Sequence, residues 1–314
     1  MSLDPVVLFF LLGTVAGLLR AELRLPAAIY DFLSMLLLLT IGLKGGIELA
    51  RVSLLQLLPQ LGGVLLLGLL LPLLLFPVLL WLGRMKRADA AAVAAHYGSV
   101  SVGTYAVAVA FLAQQAVEFE SYMPVFVVLL EMPAILVGIV LARGLSAGTN
   151  WRALSHEIFC GKGMVLLTGG LLIGWLCGAE ALAPIQPLFF DLFKGVLALF
   201  LLEMGLITAS QMGMLRRHGL FLLLFGIVTP LLAACLGGLL ALPLGFSLGG
   251  TMLLATLAAS ASYIAVPAAM RMAVPEANPG LSLAASLGVT FPFNVIIGIP
   301  LYLELARWLH STGA

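Results

Sequence analysis

The chain has 314 residues, 62% of them hydrophobic and only 9% charged, against about 25% charged in a soluble domain. So few charges cannot cover a water-facing surface, which excludes a soluble globular protein and places the chain in a bilayer. A net charge of +1 argues against nucleic acid as a partner, and three cysteines (Cys160, Cys177, Cys235) without a CxxC pair give neither a disulfide framework nor a metal site.

The first residues, MSLDPVVLFFLLGTVAG, lack a basic region and carry Asp4, so they are expected to be a retained first span rather than a cleaved signal. A span needs about 20 apolar residues. Reading apolar runs between charged or Pro/Gly breaks gives about ten spans: 3–19, 26–49, 53–82, 89–117, 121–143, 163–179, 185–210, 218–243, 247–272 and 279–309. The fold class is therefore an all-α polytopic membrane protein. Segment 144–162 is a polar linker that divides the chain into halves 1–143 and 163–314, with five spans in each.

The halves repeat at a nearly constant offset. Ile41-Gly42-Leu43 matches Met204-Gly205-Leu206, His96-Tyr97-Gly98-Ser99 matches Ala259-Ser260-Ala261-Ser262, and Glu131 matches Asn294, all at 163 residues. Leu141-Ala142-Arg143 recurs as Leu305-Ala306-Arg307 at 164. An odd number of spans per half means that the repeats are inverted. With both termini outside, 11 of the 15 basic residues fall on the inner side, among them Arg84, Lys86, Arg87, Arg143 and Arg271, as the positive-inside rule requires. The linker is then cytoplasmic, and the membrane is the cell's inner (plasma) membrane. Inverted repeats are a transporter device, with the site near the midplane where the halves meet.

Spans four and nine stand out. Span four contains HYGSVSVGTYA and has no leucine between Leu82 and Leu112; span nine contains ASASYIAVPAAM and has none between Leu257 and Leu281. Small residues permit close helix approach, while Gly98, Gly103 and Pro267 supply break points whose freed backbone groups the hydroxyls can satisfy. Read conservatively, these are packing helices. Interrupted helices at matching places in inverted repeats point instead to a solute site, with half-helix amides for an anion and carbonyl or hydroxyl oxygens for a cation.

Glu131 lies deep in span five, where a carboxylate costs roughly 2.5–3.5 kcal/mol on insertion scales, so it is either functional or held protonated against a carbonyl beside Pro133. Glu131 and Asn294 together offer hard oxygen ligands for sodium. Lys44 either snorkels to the interface or contacts substrate, and Glu48 is placed to pair with it one turn on. His96 reads as a structural histidine before a proton carrier. Asp31 and Asp191 read as interfacial.

At IGLKGGIEL, HYGSVSVGTYA, LLEMPAI and ASASYIAVPAAMRMAVPEANPG, the sequence resembles the SbtA-like sodium-dependent bicarbonate transporters. The resemblance covers most of the chain. It implies inverted five-helix repeats, a core domain from spans 3–5 and 8–10, a gate domain from spans 1–2 and 6–7, and a homotrimer. It implies inward transport of bicarbonate or a similar small monoanion by symport with sodium, the coupling ion, with no other cofactor. By position, Gly98, Ser99, Ser101, Gly103, Ser262 and Tyr263 would bind the anion, and Thr104, Glu131, Ser260 and Asn294 the sodium. Family members carry an acidic residue where this chain has Tyr263 and aspartate in place of Glu131. They also have a longer linker to receive a PII-like regulator, and the short linker here argues against that partner.

Other functions fit less well. A cation/proton antiporter shares inverted five-helix repeats but wants paired aspartates in a broken helix, and spans four and nine carry no membrane-embedded acid. A serine intramembrane protease wants Gly-x-Ser and a histidine on a facing helix, for which GSVSVG is too loose while His156, His218 and His310 lie at loops or the tail, and the GxGD of the aspartyl type is absent. A structural or receptor role would show no sodium-driven flux.

Overall fold

The computed structural model describes residues 4–312 apart from 24, 145–154 and 157–158, so most of the expected linker lies outside the described residues. No strand occurs among the described residues. In chain order the helices are α1 (Pro5–Leu18), α2 (Ala27–Leu49), α3 (Leu54–Pro77, continued by a π turn to Leu82), α4 (Arg87–Gly98), α5 (Val102–Gln114), α6 (Pro124–Glu131) and α7 (Pro133–Arg143). After the linker come α8 (Lys162–Leu182), α9 (Phe193–Ala241), α10 (Leu248–Ala259), α11 (Ala265–Ala273), α12 (Pro279–Ala285), α13 (Phe291–Phe293) and α14 (Ile299–Thr312).

Eight helical stretches are long and apolar enough to cross a membrane, counting α4–α5, α6–α7 and α12–α14 as continuous units and dividing α9 in two. The other two expected spans are shorter: α1 has 14 residues, and span nine is split into pieces of 12 and nine. Spans seven and eight run on as α9, divided only at Gly219, whose φ of 82° interrupts the helical backbone. Leu55, Trp81 and Leu176 are at least three-quarters exposed, a disposition suited to lipid and costly in water.

Lipid offers helices no hydrophobic gain on association, so packing depends on close approach. α2 lies along α8 through glycines on both: a Cβ on Gly42 would fall 2.5 Å from the Leu167 carbonyl oxygen, and one on Gly170 would fall 2.9 Å from that of Leu39. Likewise, α1 lies along the first arm of α9, with Gly13 against the Leu202 carbonyl and Gly205 against that of Phe10. The remaining helices form a second packed set. In it α3 and α7 flank α4, and the second arm of α9 packs on α10 and α12.

Candidate solute site

Span four stops being helical at Ser99. Ser99 (φ −96°, ψ 178°) and Ser101 (φ −111°, ψ 113°) are extended before α5 resumes at Val102. In span nine Ser260 is extended (φ −82°, ψ 164°) and α11 resumes at Ala265. A helix break strands carbonyls on one side and amides on the other, and no water is present in lipid to receive them.

The two breaks satisfy one another. Ser101 N–H donates to Ser260 Oγ at 3.0 Å, and Ser262 N–H donates to the His96 carbonyl at 2.8 Å. Ser260 Oγ in turn donates to the Leu257 carbonyl at 2.8 Å. Ser101 Oγ caps α5, accepting from Thr104 N–H at 3.1 Å and from Thr104 Oγ1 at 2.9 Å. Ser99 Oγ donates to the Glu131 carbonyl at 3.2 Å, and Ser262 Oγ accepts from Val266 N–H at 3.5 Å. Gly98 is needed because a Cβ there would meet Pro72 Cδ at 2.5 Å. Gly103 is needed because one would run into the Tyr263 hydroxyl.

These bonds decide which polar atoms remain for a solute. The hydroxyls of Ser99 and Ser260 are spent on protein carbonyls. Ser101 accepts twice and keeps its own proton to donate. Tyr263 is 8% exposed and Glu131 5%. The Tyr263 hydroxyl and Glu131 Oε2 are buried without a hydrogen-bond partner among the described residues. The amides of Val102 and Gly103 open α5 and have no intrahelical acceptor. Ser101, Tyr263, Glu131 and Ser262 line a gap of about 10 Å³ whose far wall is Leu38 of α2 and Gly163 of α8, room for about one water-sized species.

Two larger cavities flank this gap. One, of about 500 Å³, lies near the Leu49 end of α2 and is lined by Ile41, Lys44 and Glu48 opposite Tyr105 and Pro124. The other, of about 230 Å³, is lined by Glu131, Ile264 and Ala268 opposite Lys162 and Gly163. Lys162 pairs with Asp31, near the other end of α2, at 2.7 Å. Leu38 lies midway, about 10 Å from either level at 1.5 Å per residue. Each cavity has one wall from the α1–α2–α8 set and the other from the second set, and the crossed breaks lie between them.

The carboxylate of Glu131 sits where α6 gives way to α7 at Met132, and Oε1 is 2.9 Å from the place a Cβ on Gly163 would occupy. Asn294 is engaged elsewhere: Nδ2 donates to the Ala259 carbonyl at 2.9 Å, and Oδ1 accepts from the Tyr302 hydroxyl at 2.7 Å. Both amide ends of Asn294 are therefore occupied in this conformation, whereas its repeat mate keeps a free oxygen. His96 donates through Nδ1 to the Ala92 carbonyl at 2.7 Å, which leaves Nε2 as a buried acceptor without a partner among the described residues.

The expected Lys44–Glu48 pair does not form. Glu48 pairs with Arg51 at 3.1 Å and accepts from Ser121 Oγ at 3.0 Å. The Lys44 ammonium instead lies over Phe193 and Phe190, at 4.6 and 5.7 Å from the ring centroids. Sequence reading missed Gly163 and Leu38 as walls of the gap; the pattern Gly161-x-Gly163 at the start of α8 is the signal it contained.

A family model described as the Na+-dependent bicarbonate transporter superfamily matches residues 5–307, almost the whole chain. The chain belongs to that superfamily. Membership in the Na+-dependent bicarbonate transporter superfamily accounts for a multi-pass helical protein, and this is a family of membrane transporters rather than of enzymes. No curated protein matches the sequence. Within the superfamily frame, the crossed breaks are the polar feature that lies between two cavities at opposite ends of the helices.

Proposed function

We propose that the protein is a sodium-coupled symporter that imports bicarbonate, or a similar small monoanion, by alternating access. The observation that carries this reading is the position of the crossed breaks, between two cavities that each separate the same two packed sets of helices. On this reading the α1–α2–α8 set with the first arm of α9 is the gate, and the second set is the core that carries the solutes. Movement of one set against the other would widen one cavity and close the other around a fixed site.

The anion would be held by neutral donors: the Ser101 and Tyr263 hydroxyls and the first amides of α5, whose partial positive charge favours an anion. Gly98 and Gly103 let the backbones approach, and Ser99 and Ser262 hold the strands of the two breaks. Sodium would sit against Glu131 Oε2, with Thr104 and Ser260 shaping the oxygen lining and Asn294 bracing α10 from behind. Glycine-rich packing inside the gate repeats between the halves. Gly42 meets α8, and its mate Gly205 meets α1, as inverted five-helix repeats would place them. Ten spans, both termini outside in the plasma membrane and a homotrimer complete the proposal.

The test is uptake of labelled bicarbonate into proteoliposomes with and without an inward sodium gradient. Uptake that requires the gradient supports the reading. Equal uptake with potassium replacing sodium refutes the coupling, and no uptake of bicarbonate refutes the substrate.

A further inference from the structure

Four of the basic residues at the helix ends are matched by carboxylates. Lys162 has Asp31, Arg51 has Glu48, Arg143 has Glu276 and Arg307 has Glu304. Lys44 differs. It lines the 500 Å³ cavity, yet no carboxylate oxygen lies within 4.0 Å of its ammonium among the described residues. What holds it there is the pair of ring faces of Phe193 and Phe190. Ring faces attract an ammonium through their quadrupole and do not neutralise it, so a full positive charge remains at the cavity wall.

The rest of the lining preserves that charge. Among the described residues Glu48 is the one acidic residue lining the cavity, and it is engaged by Arg51 and Ser121. Asp191, next to Phe190, accepts from Gln186 Nε2 at 3.4 Å. Lys44, Arg51 and Glu48 thus sum to one positive charge, in a cleft whose other walls are aromatic and aliphatic. Low-dielectric walls concentrate such a field and raise the local concentration of the opposite ion. The second cavity lacks this property, because its lysine is matched by Asp31. The cavity also reaches Tyr105, the residue after Thr104 of the crossed breaks.

We propose that this cavity is a second, peripheral anion site, in which Lys44 captures a small oxyanion before it reaches the crossed breaks. That the oxyanion is bicarbonate rests on the function proposed above. The site binds through one ammonium and has no room-filling shape, so it takes small monoanions as a charge class, and selectivity is left to the breaks. Phe190 and Phe193 act as positioning residues that keep the ammonium off the bilayer interface and turned to the cavity.

Two readouts test the proposal separately from transport itself. In protein with Cys160, Cys177 and Cys235 replaced by serine, Val109→Cys places a thiol on the cavity's opposite wall. Its conversion to a mixed disulfide, with methanesulfinate as leaving group, is measured with an anionic and with a cationic methanethiosulfonate. Lys44→Met should lower the anionic-to-cationic rate ratio by about threefold or more, Lys44→Arg should keep it, and added bicarbonate should slow the reaction only where the charge is present. In uptake, Lys44→Met should raise the bicarbonate KM by about tenfold at low ionic strength, with the sodium half-saturation unchanged. An unchanged rate ratio, or no protection by bicarbonate, overturns the proposal whatever uptake shows. An unchanged KM with an altered ratio also overturns it, since the site would then lie off the path. Protection without any uptake by the unmodified protein leaves the site standing and refutes the proposed function instead.

Discussion

Replacing Tyr263 with phenylalanine isolates one hydrogen-bond donor at the crossed breaks. The ring packs edge-on against Phe291, with centroids 5.5 Å apart and planes at 81°, and phenylalanine preserves that contact. The hydroxyl makes no well-formed hydrogen bond among the described residues, with Ser101 its polar neighbour, although the residue is only 8% exposed. Burying a hydroxyl without a partner costs about 1–3 kcal/mol, so its removal should leave the melting temperature unchanged or raise it. If the hydroxyl donates to a bound anion, its loss forfeits a bond to a charged acceptor, worth about 1.5–3 kcal/mol. That corresponds to roughly ten- to a hundredfold in dissociation constant. The assay pairs labelled-bicarbonate uptake across a range of anion concentrations with thermal unfolding of the purified protein in detergent. A phenylalanine variant that binds bicarbonate within twofold of the parent would refute the reasoning, and more firmly still if it melted lower.

Glu131→Gln keeps the volume and removes the charge beside Gly163. The sodium concentration for half-maximal uptake should rise several-fold and the bicarbonate KM much less, and unchanged sodium dependence would remove Glu131 from the sodium site. Asn294→Leu strands the Ala259 carbonyl and the Tyr302 hydroxyl, so unfolding in detergent should show a loss of roughly 2–6 kcal/mol from two buried unpaired groups; a loss under 1 kcal/mol would mean that the two groups find other partners. Gly42→Ala drives a methyl onto the Leu167 carbonyl and should cost about 1–3 kcal/mol by overpacking, whereas Gly62→Ala, with open space around it, should cost little and serves as the control. A cysteine at Ser311 in a cysteine-free background should react with an impermeant thiol reagent in intact cells, and one at Ser155 should not; the opposite labelling would invert the proposed orientation.

The interruption of spans four and nine was legible because a helix facing lipid keeps leucine, and His96–Ala106 and Ala258–Ala273 have none. The depth of Glu131 was equally plain from its apolar neighbours. What these residues bond to was not legible, because the partners are distant in sequence. Ser101 and Ser260 are 159 residues apart, and Asn294 and Ala259 are 35 apart. The same distance misled the reading of Lys44. Local spacing offers Glu48 at one turn, but Phe190 and Phe193 come from the far side of the linker, and Arg51 competes for the carboxylate. The division between spans seven and eight was legible too, because Arg216, Arg217 and His218 interrupt the apolar run just before Gly219, where the backbone leaves the helix.

The glycine rows of α2 and α8 set backbone against backbone along the seam, flanked by buried side chains such as Leu43, Ile47 and Leu182. Sliding one helix along the other by a residue would bring Leu39 or Leu171 against a carbonyl, so the pair has no neighbouring register to slip into. It responds to force as a single plank. A hydrocarbon layer thicker or thinner than its apolar length therefore tilts the plank as a unit, and the tilt moves Lys44 and Lys162, at its two ends, in opposite senses. Acyl-chain length thus becomes a mechanical input to both cavities, delivered through a seam whose closest contacts are backbone on backbone.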